Sequence, residues 1–489
     1  MDLTKTFQIF NNIMNKKNSY LFKNTLIYAL SSFATSILSF LFVSLYTSVL
    51  STTEFGLADL VSVTTTLLVY VFTLNISDAV LRFSIDNDTD SKKILAFGVR
   101  IVLIGGCVCS IVIGIIAFFD LFNWPSFCYF FLFLYFIFTS FLTVLSSYAR
   151  SIDKVKEIGV SSVIISAITI ICNVLLLVVF DLKLVGYLLA NVIAIIFAVF
   201  YLIIVLNLSI FKIVIYEKCN VELKKAMIVY SVPLIFNGVA WWLNSAFDRY
   251  SINHLIGIEQ NGLYSAASKI PYIVVIINTI FGQAWGISSI KDIDSNDEDG
   301  FFSKTYNMYC FVLVSIASIL ISFNIPLSRL MLKNAFFEAW RFSSILVISS
   351  VFNALSSLLG GAFTKTMKTN IYAKTTVVST IINVLLNIIL ISHIGAIGAA
   401  VATAISFFVL WIVRLWISKR IIDYKVNMLK HIVSFVMLLT QIIIEHIKRD
   451  FSFVQLIILL FLFVIYAKEI KIFLESLSII LKKYVKKVD

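Results

Sequence analysis

Proline is nearly missing from this sequence, with four residues in 489, and charged residues make up only 13% of it. Hydrophobic residues reach 60%, and the mean hydropathy is +0.98. So little charge excludes a soluble domain, whose interior could not hide this much apolar surface. With only 17 glycines as further breaks, the apolar runs fit helices and exclude the alternating pattern of a barrel. The six cysteines stand singly or as Cys107-x-Cys109, with no CxxC pair and no metal-ligand cluster with histidine. They read as small core residues. His254, His393, His431 and His446 show no HExxH pattern, and no Walker A or glycine-rich phosphate loop occurs. No metal, no cofactor and no ATP hydrolysis is expected.

What is present is a series of long apolar runs. At about 20 residues per membrane span, the chain divides into fourteen helices. The first seven run over 24–50, 57–80, 94–119, 126–147, 158–180, 185–209 and 226–247. The next seven run over 262–290, 305–325, 340–362, 372–392, 396–417, 427–447 and 452–474. The first run follows Lys16, Lys17 and Lys23 and is too long for the core of a cleavable signal peptide.

The excess of 39 Lys and Arg over 27 Asp and Glu is explained by membrane orientation rather than by nucleic acid. With both termini inside, only Lys183, Arg249, Arg329, Lys333, Lys448 and Arg449 fall in outer loops. The positive-inside rule therefore puts both termini in the cytoplasm. The longest soluble stretches, Asp86–Lys93, Lys212–Lys225 and Lys291–Lys304, are too short to fold a catalytic domain. Function must reside in the membrane.

Three short matches recur in the same order: EFGL at 54–57 with QNGL at 260–263, ICNVLL at 171–176 with IINVLL at 381–386, and LVGYLLA at 184–190 with AIGAAVA at 396–402. Their near-constant offset implies duplication of a six-helix unit in parallel orientation. The expected domains are an N-terminal lobe (1–211, helices 1–6), a C-terminal lobe (212–420, helices 7–12), and helices 13–14 with a basic cytoplasmic tail (421–489).

Ionisable residues within spans are functional candidates because they are costly to keep there. Lys269 lies well inside the eighth span, and Asp248-Arg249 closes the seventh on the outer side. A cavity role for Lys269 competes with a buried ion pair to Asp248. Asp78 and Arg82, four apart at the end of the second span, read as an interfacial ion pair or as a gate. Arg100 begins the third span on the same side. Arg414 is expected to snorkel to the headgroups, and Arg341 with Glu338 to mark a helix end. Pro233 and Pro271 free backbone carbonyls that only a neighbouring helix or a wet cavity can satisfy, and they mark expected kinks. Trp241 and Trp242 read as interfacial belt residues before they read as sugar-stacking rings.

The stretch STTEFGLADLVSVTTTLLVYVFTLNISDAVLRF (51–83) resembles the second-helix signature of bacterial polysaccharide flippases of the Wzx type. SVPLIFNGVAWWLNSAFDRYSI (231–252), NGLYSAASKI (261–270) and GQAW (282–285) are similar to the start of their second lobe, and 380–406 to their helix 11–12 region. One departure is Asn75, where the family pattern has Gly; a stiffer second helix is expected there.

The resemblance implies an all-α, V-shaped architecture like that of the multidrug exporters in the same superfamily. It implies a transporter rather than an enzyme, moving undecaprenyl-diphosphate-linked oligosaccharide across the bacterial inner membrane by alternating access for O-antigen, capsule or exopolysaccharide assembly. Membrane lipids and a polymerase of the same pathway would be partners. Lys269, Arg249, Arg82 and Arg100 would serve the diphosphate, and Pro233 and Pro271 would let their helices bend. Alternatives are a cation-coupled exporter of small amphiphiles and, from another class, an integral-membrane glycan polymerase.

Overall fold

The computed structural model describes residues 42–85, 91–209, 217, 219–294, 296–450, 452–471 and 475. Among these, every regular element is helical. The chain divides into two compact units, Met1–Phe247 and Asp248–Asp489. Among the described residues, eleven helices are long and apolar enough to span a membrane, or twelve when one bent pair counts as a single span. The twelve correspond to the second through thirteenth expected spans. Most of the first expected span lies outside the described residues. At the place of the fourteenth, the described residues hold an apolar helix of 13 residues, Phe453–Ile465.

The first unit contains α1 (Val43–Val49), α2 (Thr52–Phe72), α3 (Ile76–Ser84), α4 (Ser91–Phe118), α5 (Ser126–Ser151), α6 (Val155–Asn173), α7 (Lys183–Val205) and most of α8 (Val221–Leu255). Helix α2 starts at a capping box: Ser51 Oγ accepts the Glu54 N–H at 3.2 Å, and Glu54 Oε2 accepts the Ser51 N–H at 2.8 Å. The expected single span 57–80 is broken. Leu74 and Asn75 take left-handed conformations (φ 53° and 48°), and the helix restarts as α3. Asn is among the few non-glycine residues that tolerate this region. So Asn75 does not stiffen the helix; it sits at the interruption.

Gly105 of α4 makes the break packable, because a side chain there would run into the Phe72 carbonyl. Around it Ile76, Val80, Leu95, Val102, Leu145 and Leu202 form a buried core that ties α3, α4, α5 and α7 together. The opposite face of α4, with Ile104, Val108, Ile111 and Ile115 at helical spacing, is equally apolar and exposed. A soluble protein would not leave that stripe in water; lipid is its natural solvent.

The second unit contains the end of α8, α9 (Ile258–Ala267), α10 (Tyr272–Asp292), α11 (Phe301–Ser322), α12 (Asn324–Met331), α13 (Trp340–Lys365), α14 (Thr369–Ile394), α15 (Ala396–Lys419), α16 (Met428–Lys448) and α17 (Phe453–Ile465). Helix α13 is its hub: most of its side chains are buried, and it packs on α10, α11 and α15. Helices α14 and α15 join through Gly395 at φ 69°, and Gly398 lets α15 approach the Leu390 backbone. The expected span 262–290 is two helices, α9 and α10, bent by 53° across Ser268–Pro271. Proline at 271 lacks the N–H an unbroken helix would need, which accounts for the break. Pro233, by contrast, lies inside α8, which runs past it without interruption.

Candidate functional site

The break between α2 and α3 opens into a polar cavity of 460 Å³ in the first unit. Its walls come from α2, α3, α5, α6 and the first-unit part of α8. Six hydroxyls line it: Ser77, Thr143, Ser146, Ser147, Ser161 and Ser162. Asn75 and Asn237 add amides, Tyr70 and Trp241 add rings, and Asp78 and Arg150 are the two charged side chains among the described residues. The broken helix places the Asn75 amide to donate to Asp78 Oδ2 at 2.8 Å. The expected Asp78–Arg82 ion pair is absent; Arg82 is exposed on α3 and lines no part of the cavity.

Helix α8 is held to this wall by close fit. A Cβ on Gly238 would stand 2.7 Å from the Tyr70 ring, so only glycine lets the ring lie against the helix. One turn on, the Trp242 indole N–H donates to the Val63 carbonyl at 2.6 Å. Trp242 is therefore a tether within the protein, while its neighbour Trp241 lines the cavity. Sequence reading singled out Trp241 without favouring this use. It passed over Asn237, Arg150 and the serines altogether, since such residues carry no spacing signature in a helix. Arg100, near the start of α4, lines no part of the cavity, and its guanidinium donates to the Glu217 carbonyl.

The second unit holds its polar groups differently. Asp248 is buried and lies inside α8, which continues to Leu255 beyond the expected end at 247. Its carboxylate accepts the Tyr264 hydroxyl at 2.7 Å, the Asn387 amide at 2.7 Å and the Thr403 hydroxyl at 2.6 Å. Neutral donors thus satisfy Asp248, and the alternative of an ion pair between it and Lys269 is not formed. Arg249 is half-buried on the same helix. Lys269 is half-buried at the α9–α10 break, with its backbone N–H on Ala266 O at 3.1 Å. Beside Asp248, Asn383 and Asn387 are fully buried, and the Asn387 Oδ1 has no donor. Among the described residues no group of three or more His, Cys, Asp or Glu could hold a metal.

Arg414 is also buried, at 2% exposure, so it does not snorkel. It donates to Thr375 Oγ1, Ser356 O, Tyr372 O and Thr376 Oγ1, and its guanidinium stacks 3.9 Å from the Tyr372 ring centroid. A third cluster joins Asn324 and Ser344 to the two oxygens of the fully buried Glu445. Arg341 and Glu338 form the expected helix-end pair at 2.6 Å.

Apolar spans around polar clusters define a multi-pass membrane protein, and its fold has known counterparts. The lipid II flippase MurJ in an inward closed conformation superposes with a TM-score of 0.68, covering 93% of this chain and 100% of that one at 16% identity. An inward-facing multidrug resistance transporter of the MATE family gives 0.60, covering 79% and 94% at 12% identity. The profile of the polysaccharide biosynthesis protein family matches residues 21–286, more than half of the chain. The chain belongs to that family. A probable low-salt glycan biosynthesis flippase, Agl15 of Haloferax volcanii, is 24% identical over 198 residues. That match spans 40% of this chain and 42% of the relative, less than half the length of either.

Proposed function

We propose that this protein is a flippase, not an enzyme, that moves undecaprenyl-diphosphate-linked oligosaccharide units from the inner to the outer leaflet of the bacterial cytoplasmic membrane. The observation that carries the reading is a cavity lined by hydroxyls, amides and rings inside helices whose outer faces are apolar. Such a lining substitutes for the water that a glycan gives up on leaving the cytosol, and without it each unpaired sugar hydroxyl would carry a desolvation cost. Membership of a polysaccharide biosynthesis family and the flippase relative support the same substrate class. In this reading both termini are cytoplasmic, and the lobes 1–211 and 212–420 expose the substrate alternately to each side. The diphosphate then needs cationic partners, for which Lys269, Arg249, Arg82 and Arg100 are the candidates.

The test is deletion of the gene, followed by analysis of undecaprenyl-linked intermediates and surface glycan. Complete units trapped on the cytoplasmic leaflet, with surface polymer lost, are expected. Single units outside but unpolymerised would move the assignment to the polymerase. An unchanged glycan with altered sensitivity to amphiphilic drugs would move it to the exporter.

A further inference from the structure

We propose that the cavity of the first unit is a glycan subsite that takes the sugar and excludes the diphosphate of the carrier lipid. This rests on the flippase reading and divides its substrate into two parts.

The argument begins with charge. Among the described residues that line the cavity, one guanidinium, Arg150, is matched by one carboxylate, Asp78, so together they carry no net charge. A diphosphate drawn out of water needs several charge-assisted donors to replace its hydration. A single cation offset by a carboxylate does not supply them. None of Lys269, Arg249, Arg82 and Arg100 lines this cavity.

Neutral sugars ask for something else. Each ring hydroxyl both donates and accepts, and hydroxyl and amide side chains do the same, so Ser146, Ser147 and Asn237 can pair with either sense of a sugar O–H. A carboxylate accepts from two neighbouring sugar hydroxyls at once. Asp78 presents one, with its second oxygen already oriented by the Asn75 amide at 2.8 Å. The carbon face of a pyranose is apolar and packs on a ring, which Trp241 offers, 41% exposed on the cavity wall. The volume of 460 Å³ lies within the ~300–1,000 Å³ usual for small-molecule sites. A drug-binding cavity would favour apolar and aromatic walls over six hydroxyls.

The experiment compares two probes on the full-length protein in nanodiscs: undecaprenyl diphosphate carrying the organism's own repeat unit, and bare undecaprenyl diphosphate. Asn237→Ala and Trp241→Leu are each expected to weaken binding of the glycan-loaded lipid about tenfold, the equivalent of about 1.4 kcal/mol. Both should leave binding of the bare lipid within about twofold. Ser147→Ala, a smaller change, should also shift only the glycan-loaded probe, and retained binding of the bare lipid by each variant is the control for folding. Equal losses for both probes, or no loss for either, would overturn the subsite while leaving the flippase reading intact. Wild-type protein that binds neither probe would overturn the flippase reading itself.

Discussion

The two units draw on similar polar residues and use them in opposite ways. In the first, serine, asparagine, aspartate and arginine side chains line an open cavity. In the second, side chains of the same types close on one another: Asp248 on Tyr264, Asn387 and Thr403; Arg414 on Thr375, Thr376 and two carbonyls; Glu445 on Asn324 and Ser344. The difference teaches that a buried charge in a membrane span is not by itself a ligand site. Where neutral donors surround it, it holds helices together, because the alternative in lipid is an unpaired group. Where it faces space, it is available to a ligand.

The largest expected effect tests the closed half of the comparison. Replacing Asp248 with alanine strands a hydroxyl, an amide and a second hydroxyl in the interior, at about 3 kcal/mol or more. The unfolding midpoint in mild detergent should fall steeply, and unchanged stability would mean that the cluster is not structural. Arg414→Ala removes four hydrogen bonds and leaves a void, for about 2 kcal/mol by the same assay. Arg414→Lys should recover only part, since an ammonium cannot reach four acceptors in the guanidinium plane.

In the first unit the expected stability effects are smaller and depend on the helix break. Gly105→Val forces a side chain against the Phe72 carbonyl and should cost about 2 kcal/mol. Asn75→Gly, which keeps the left-handed conformation, should change stability little yet loosen Asp78 by removing its amide donor. The smallest effect sharpens the contrast most. Asn237→Ala should leave the unfolding midpoint within about 0.5 kcal/mol of wild type, as an exposed substitution usually does. Surface glycan in a complemented deletion strain should nevertheless fall. Loss of stability without loss of export would erase the distinction between the units.

Much of the fold was legible as a succession of apolar runs. Twelve expected spans have helical counterparts at nearly the same positions, because lipid thickness sets a minimum length that composition reveals directly. Boundaries failed where polarity misled. Asp248-Arg249 looked like a helix end, yet α8 continues to Leu255 because Asp248 finds its donors on α9, α14 and α15. The break at Leu74–Asn75 carried no proline or glycine to announce it. It exists because Gly105, thirty residues later, makes room for it. Arg414 looked like a snorkelling side chain because its distance from a helix end was visible and its four acceptors were not. The cavity residues were harder still, since a serine or asparagine in a helix has the same appearance whether it bonds its own backbone or faces a ligand.

The sequence by itself determined the membrane setting, the succession of spans and the family, since these follow from local composition and from stretches read along the chain. Only the tertiary structure decided which polar side chains are paired with each other and which face open space. That choice depends on partners 16 to 155 residues away for Asp248 alone. No local pattern encodes such distances, and in a medium without water they decide what every buried charge can do.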